Sequence, residues 1–208
     1  VLYEAFYRIK ERPFYNLPDP EAVYLGQRHS LAYSILDYGA AQHTGFTVVT
    51  GEIGCGKTTL IRHLLNHLGN EVAVGLISNT LIAKGELLQW ILLAFDLAYR
   101  DKSYVELYDD LTRYLIDQYG HGRHTVLIVD EAQNLGIETL EELRMLSNIN
   151  ADNDQLLQLI LVGQPQLQEL LRRPELTQLA QRVAFDIHIP PLSMADVGKY
   201  IRHRLRVA

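Results

Sequence analysis

The segment Gly51–Thr58 constrains this chain more than any other part of its sequence. It reads GEIGCGKT, which matches the phosphate-binding pattern G-x-x-x-x-G-K-[ST]. An apolar, β-prone stretch at Phe46–Thr50 precedes it, and a helical stretch at Thr59–Leu65 follows. In such a unit, glycines let backbone N–H groups curl toward phosphate oxygens, and the helix adds its positive end. The sequence therefore predicts a nucleotide site here, in preference to a glycine-rich turn that binds nothing.

The residues of this loop have separate predicted tasks. Lys57 is expected to contact the β- and γ-phosphates of ATP, and the Thr58 hydroxyl is expected to ligate Mg²⁺. The remaining predicted nucleotide contacts lie at Gly51, Glu52, Ile53, Gly54, Cys55, Gly56 and Thr59. Because Cys55 is the single cysteine, no intrachain disulfide can form and a reducing compartment is expected. We interpret Cys55 as a small side chain tolerated at a variable motif position, with a redox switch as the alternative.

A second motif, Val126–Glu131, consists of four apolar residues followed by two carboxylates. A continuous apolar run is typical of a strand buried on both faces of a parallel sheet, and such sheets bind ligands beyond the carboxyl ends of their strands. Asp130 is predicted to hold Mg²⁺, directly or through water, and Glu131 to be the base that activates the attacking water. The alternative is that both carboxylates only cap the helix that follows.

Gln164 follows a third apolar segment, predicted as a strand over 156–162. If this strand lies between the phosphate-loop strand and the Asp130 strand, Gln164 faces the γ-phosphate and helps to position the attacking water. The alternative is that Gln164 caps the helix that begins at Pro165.

Arg182 lies between a short helical segment and a further strand. This position favours an arginine that projects from the domain edge and stabilises transition-state charge on a neighbouring subunit's nucleotide. The alternatives are an ordinary surface arginine at 182, or Arg172 or Arg173 in its place.

Composition agrees with a nucleotide-binding domain. With 208 residues, 48% of them hydrophobic, the chain has enough apolar material for a core. Its formal charge of −6 and pI near 5.7 argue against broad adhesion to nucleic acid or anionic lipid. No stretch approaches the ~20 consecutive apolar residues of a membrane span, and the amino terminus at Val1 lacks a secretory signal. We expect a cytoplasmic domain trimmed from a longer protein, with no membrane insertion of its own.

Apolar spacing and helix breakers predict alternating strands and helices, which requires a parallel sheet covered by helices on both faces. The predicted strands are 46–50, 71–78, 126–129, 156–162 and 183–189. The predicted helices are 27–38, 59–65, 85–99, 103–119, 139–148, 165–172, 175–181 and 194–207. We divide the chain into an aromatic and proline-rich arm at 1–30, an α/β nucleotide-binding domain at 31–191 and a last helix at 192–208. The basic residues expected to be exposed on that helix are Lys199, Arg202, Arg204 and Arg206.

Further blocks of sequence extend the two motifs over residues 3–207. They are Arg12-Pro13-Phe14 and Pro18-Asp19-Pro20, then GFTVVTGEIGCGKTTL, VLIVDEAQNL, LEELRMLSNI, LQLILVGQPQL, LAQRV and YIRHRL. On these blocks the chain resembles the AAA+ ATPases of the general secretion pathway protein A type, also called ExeA-like. The resemblance implies an α/β P-loop NTPase of three αβα layers, with a parallel five-stranded sheet in the order 5-1-4-3-2. It also implies ATP hydrolysis by a homo-oligomer, a ring or filament, whose neighbours complete each site.

The resemblance also implies roles by position. Lys57 and Thr58 match Walker A, Asp130 and Glu131 match Walker B, and Gln164 lies at the sensor-1 position.

The resemblance further matches Arg182 to the arginine that acts in trans. Family members often continue into an α-helical lid, and some into a membrane span and a peptidoglycan-binding region. This sequence stops at Ala208, within the expected first lid helix. We therefore expect weak nucleotide affinity and turnover from the isolated domain.

The sequence thus predicts an Mg²⁺-dependent ATPase that binds ATP and ADP and acts as an oligomeric motor or switch in assembly of a cell-envelope secretion machine. The expected partners are copies of itself and an inner-membrane component of that machine. One version of this hypothesis makes the chain the cytoplasmic domain of an inner-membrane-anchored protein. One alternative is a DNA-associated ATPase, as in transposition regulators and origin-binding ATPases, which the net charge disfavours. Another is a nucleotide-gated scaffold that barely hydrolyses ATP. Candidate neighbours of the adenine are Tyr24, Arg28 and the Pro18 region.

Overall fold

The structure is a computed structural model that describes residues 6, 12–14, 23–41, 45–78, 82–83, 85–151 and 154–208. Most of the predicted arm at 1–30, including Pro18, lies outside the described residues.

Among the described residues, five strands form one parallel sheet. They are β1 (Phe46–Gly51), β2 (Val72–Ile77), β3 (His124–Val129), β4 (Leu157–Gly163) and β5 (Val183–Ile189). Their order across the sheet is β2-β3-β4-β1-β5, which confirms the predicted order 5-1-4-3-2. Outside this sheet, Asn150–Ala151 pairs antiparallel with Asp154–Gln155.

The described helices follow the predicted alternation. They are α1 (Gln27–Ala41), α2 (Lys57–His67), α3 (Leu87–Ala94), α4 (Tyr104–Gly120), α5 (Ile137–Leu146), α6 (Gln166–Leu171), α7 (Thr177–Ala180) and α8 (Met194–Val207), with 3-10 turns at Ala132–Asn134 and Pro174–Leu176. The predicted helix over 85–99 was too long, because Asp96 adopts a left-handed conformation, φ 58°, that stops α3. None of the described helices has the length and apolar composition needed to cross a bilayer.

Strand side chains alternate between the two faces of the sheet, and each face has its own core. Leu127 and Leu159 lie in the core covered by α3 to α7, whereas Val126 and Ile160 lie in the core covered by α1 and α2. This period of two, with helices on both faces, produces the three predicted layers.

Two polar residues in buried positions connect elements that are distant in sequence. Gln158, which interrupts the apolar run of β4, is 4% exposed, and its Nε2 donates to Gly39 O at 2.5 Å. It therefore ties the end of α1 to the middle of the sheet. Arg204 in α8 was predicted to be exposed, and this prediction was wrong because Arg204 is 7% exposed. Its Nε donates to Pro13 O at 2.5 Å, so the described part of the arm covers it.

Candidate functional site

The topology brings the predicted site residues to one edge of the sheet. β4 lies between β1 and β3, which is the arrangement on which the role of Gln164 depended. Since the three strands are parallel, their carboxyl ends lie side by side. The phosphate loop after β1, the carboxylates after β3 and Gln164 after β4 therefore face the same space.

The phosphate loop has a backbone that requires glycine at several positions. Gly54 and Gly56 have φ angles of 78° and 94°, a left-handed region in which side chains with a Cβ are disfavoured. A Cβ on Gly51 would lie 2.6 Å from both Cys55 Sγ and Ile189 O. Cys55 is 8% exposed, which fits a small side chain packed under the loop.

The amides of the loop form a cradle for an anion. Among the backbone hydrogen bonds of the described residues, the only one donated by an amide of residues 52–56 is Cys55 N–H to Glu52 O, at 3.3 Å. The other amides of this stretch, and the first amides of α2, are therefore free of backbone carbonyl partners. This curled set of donors at a helix amino terminus fits a chain of phosphates.

Lys57 lies folded over the loop. Its side chain is buried, and its Nζ donates to Gly51 O at 2.7 Å and to Glu52 O at 3.0 Å. An ammonium group has three N–H donors, so one donor and the positive charge remain for a phosphate oxygen.

Thr58 and Asp130 meet although 72 residues separate them. Thr58 Oγ1 donates to Asp130 Oδ2 at 3.3 Å, and Glu131 N–H donates to Asp130 Oδ1 at 2.9 Å. Burial raises the pKa of the Asp130 carboxyl, against smaller lowering effects from the Glu131 backbone, Thr58 and Lys57. A hydroxyl beside a carboxylate is a set of hard oxygen donors of the kind that Mg²⁺ binds.

Glu131 has a strained backbone. Its φ of 54° and ψ of 36° are left-handed, and its side chain makes no cap to the 3-10 turn that follows. A non-glycine residue in this region costs about 1–2 kcal/mol. Because the Glu131 side chain makes no cap to the turn, the geometry does not support the helix-capping alternative for Glu131.

Gln133 is a site residue that the sequence interpretation missed. Its Nε2 donates to Glu131 Oε2 at 2.6 Å, and its Oε1 accepts the Gln164 N–H at 3.0 Å. Gln164 Nε2 also donates to Glu131 Oε2, at 3.3 Å, instead of capping α6. A Cβ on Gly163 would lie 2.7 Å from Gln133 Oε1, so the bare backbone there admits Gln133. The side-chain amides of Gln133 and Gln164 therefore fix the Glu131 carboxylate. In the sequence, the one sign of this role for Gln133 was its position two residues after Glu131.

Arg182 lies at the opposite edge of the sheet. It precedes β5, whose first residue, Val183, pairs with Phe46 at the start of β1. At ~3.3 Å per residue, the length of β1 separates this edge from the phosphate loop by roughly 16 Å. Arg182 Nη1 donates to Ser147 Oγ at 3.0 Å. The fold therefore keeps Arg182 out of the nucleotide site of its own chain, and the rival residues Arg172 and Arg173 are exposed after α6.

Of the proposed adenine neighbours, Tyr24 contacts the last helix. Tyr24 Oη donates to Asp196 Oδ1 at 3.3 Å, and its ring lies 6.2 Å from that of Tyr200. Arg28 is exposed in the first turn of α1.

Known proteins resemble this chain in sequence. A family model described as an AAA domain matches residues 40–171. The chain is 42% identical over all of its 208 residues to General secretion pathway protein A of Aeromonas hydrophila, and it covers 38% of that relative's length.

Solved structures share the fold at low sequence identity. The ORC2 protein of Aeropyrum pernix, solved as ADPNP–ADP complexes, has a TM-score of 0.70 at 18% identity, covering 95% of this chain and 56% of that one. Drosophila ORC bound to DNA has a TM-score of 0.65 at 16% identity, covering 94% of this chain and 49% of that one. At such identities the similarity concerns the fold alone.

Proposed function

Because the chain belongs to the AAA domain family, we propose that it binds ATP with Mg²⁺ and hydrolyses it to ADP and phosphate. The observation that carries this proposal is the contact of Thr58 with Asp130, beside a Glu131 carboxylate held by two amides. The groups proposed to bind phosphate, to hold the metal and to act as general base then surround one space at the sheet edge.

In this proposal the loop amides and Lys57 bind the β- and γ-phosphates, and Thr58 and Asp130 hold Mg²⁺. When bound, the metal neutralises phosphate charge and aligns the phosphate oxygens. Glu131 orients a water molecule and accepts its proton as the water oxygen bonds to the γ-phosphorus and the bond to the β–γ bridging oxygen breaks. Gln133 and Gln164 keep the base directed at that water, and positioning supplies most of the rate.

The test compares two variants of the site. Glu131→Gln keeps the size of the side chain and removes the base, so we expect ATP affinity within a few-fold of wild type and turnover lower by about 10²–10⁴. Lys57→Ala removes the phosphate contact, and we expect ATP affinity itself to fall. Calorimetry measures binding and phosphate release measures turnover, each with Mg²⁺ and with EDTA.

Glu169→Gln is the matched control, since Glu169 is an exposed glutamate on α6. It should change neither binding nor turnover. Unchanged turnover in Glu131→Gln would remove Glu131 from the role of base, and equal ATP affinity in Lys57→Ala would contradict the phosphate site. Tight Mg²⁺-dependent ATP binding with no wild-type turnover at any protein concentration would favour the nucleotide-gated scaffold.

We further propose that the domain acts on the cytoplasmic side, as an oligomer that converts its nucleotide state into the assembly of a secretion machine. The similarity to General secretion pathway protein A supports this role. Sedimentation with ATP and with ADP should then show nucleotide-dependent self-association. Binding to duplex DNA that falls steeply between ~50 and ~200 mM salt would instead support action on DNA.

A further inference from the structure

We propose that His29 is a positioning residue of the phosphate loop, which holds the Cys55 carbonyl outward and thereby directs the Gly56 N–H into the phosphate cradle. The inference rests on the proposed nucleotide-binding function of that loop.

His29 is a buried polar residue with a specific partner. It is 6% exposed, and its Nε2 lies 2.7 Å from Cys55 O, 26 residues away in sequence. A carbonyl oxygen only accepts hydrogen bonds, so His29 Nε2 carries the hydrogen and donates it. A buried hydrogen bond of this length fixes the direction of the Cys55 carbonyl.

The direction of that carbonyl determines the direction of the next amide. The Cys55–Gly56 peptide bond is trans, since the described chain contains no cis peptide. In a trans peptide unit the C=O and the following N–H point to opposite sides. With Cys55 O held against α1, the Gly56 N–H points away from α1, and we infer that this is the side on which the phosphates bind. His29 thus orders a phosphate-binding donor without touching the phosphate.

The packing of α1 against the core fixes the position of His29. His29, Ala32, Leu36 and Ala40 are all buried, and their spacing of three, four and four residues makes them the inner stripe of α1. His29 is the only polar member, and it lies where α1 passes the loop. A Cβ on Gly56 would lie 3.5 Å from His29 Nε2, so the imidazole packs directly beside the loop backbone. If His29 made its hydrogen bond to another part of the core, its ring would not need to lie beside the loop backbone.

The experiment compares two substitutions of similar length. His29→Gln keeps an N–H donor near the position of Nε2, whereas His29→Met keeps the bulk and removes the donor. Titration of ADP and ATP by calorimetry should give dissociation constants within ~3-fold of wild type for His29→Gln. For His29→Met we expect values about 5- to 100-fold higher, the effect of an unpaired buried carbonyl. KM for ATP should rise in parallel while kcat changes little, because the same contact is lost in the ground and transition states.

Leu36→Ala is the control for a merely structural effect. Leu36 is fully buried on the same face of α1, so its truncation lowers Tm without touching the loop, and its folded fraction should bind ADP as wild type does. Equal ADP affinity in His29→Met and wild type, or equal losses in His29→Met and Leu36→Ala, would overturn the inference. If wild type and Lys57→Ala bind ADP equally, the proposed function fails instead.

Discussion

The two edges of the sheet differ in what they hold. At the carboxyl edge, groups that follow β1, β3 and β4 contact one another directly, including Thr58 with Asp130 and Glu131 with Gln164. At the amino edge, Arg182 donates to Ser147 and faces no phosphate loop of its own chain. One chain therefore contains all the groups proposed to bind phosphate, to hold the metal and to be the base. We propose that an arginine cation for the γ-phosphate, additional to Lys57, comes from another copy of the chain.

The largest effect is expected from removing Arg182, the cation at the amino edge. Arg182→Ala should lower kcat by about 10³ or more, the range for arginines supplied in trans, with unchanged ADP affinity. Phosphate release should be measured at protein concentrations where wild-type specific activity has reached its plateau. Arg172→Ala and Arg173→Ala are the matched controls and should keep wild-type activity.

Mixing two inactive variants tests whether Arg182 acts across a subunit contact. An equimolar mixture of Arg182→Ala and Glu131→Gln contains contacts that pair an intact Glu131 with an intact Arg182, so part of the activity should return. A mixture as inactive as its components would contradict action in trans.

A smaller effect is expected at the carboxyl edge, where Gln133 orients Glu131. Gln133→Ala removes the 2.6 Å hydrogen bond to Glu131 and the acceptor for the Gln164 amide. We expect kcat to fall about 10- to 100-fold, typical of groups that orient a functional residue, while ATP affinity stays near wild type. Gln166→Ala, an exposed glutamine at the start of α6, is the control. Equal turnover in the two variants would show that Gln164 alone orients the base.

The smallest expected effect concerns the stability of the domain without nucleotide, at the proposed metal ligand Asp130. Burial raises the pKa of Asp130 in the folded state, so the folded protein keeps that proton to higher pH than the unfolded chain. The contribution of the protonated Asp130 to the free energy of unfolding is fully present below the ordinary pKa of an aspartate. It is lost as the pH rises through the raised pKa of the folded state. Asp130→Asn cannot ionise and should therefore be more stable than wild type at neutral pH.

Thermal unfolding in EDTA checks this expectation. We expect a Tm higher by roughly 2–4 °C for Asp130→Asn, the scale of ~1 kcal/mol in a chain of this size. The difference should vanish below the ordinary aspartate range. Mg²⁺ with ATP should stabilise wild type and have little effect on the variant. A lower Tm for Asp130→Asn at neutral pH would show that its contacts outweigh its desolvation.

Local chemistry explains which predictions succeeded. The strands were predictable because they are short stretches rich in apolar and β-branched residues, and β5 has the predicted bounds although Asp186 and His188 interrupt it. The predicted end of α3 was wrong because the backbone conformation of one residue, Asp96, ends that helix. Arg204 failed because its acceptor, Pro13 O, lies 191 residues away, beyond any pattern within α8.

The alternation of strands and helices, the phosphate-loop motif and the pair Asp130 and Glu131 could be predicted from the sequence, because these are contiguous patterns whose chemistry depends on nearest neighbours. Three contacts became visible only in the folded chain: Thr58 with Asp130, Gln133 with both Glu131 and Gln164, and His29 with the loop. Those contacts depend on strand order and on the packing of α1, which close long loops through burial of apolar surface spread over the whole chain. No local segment contains that information.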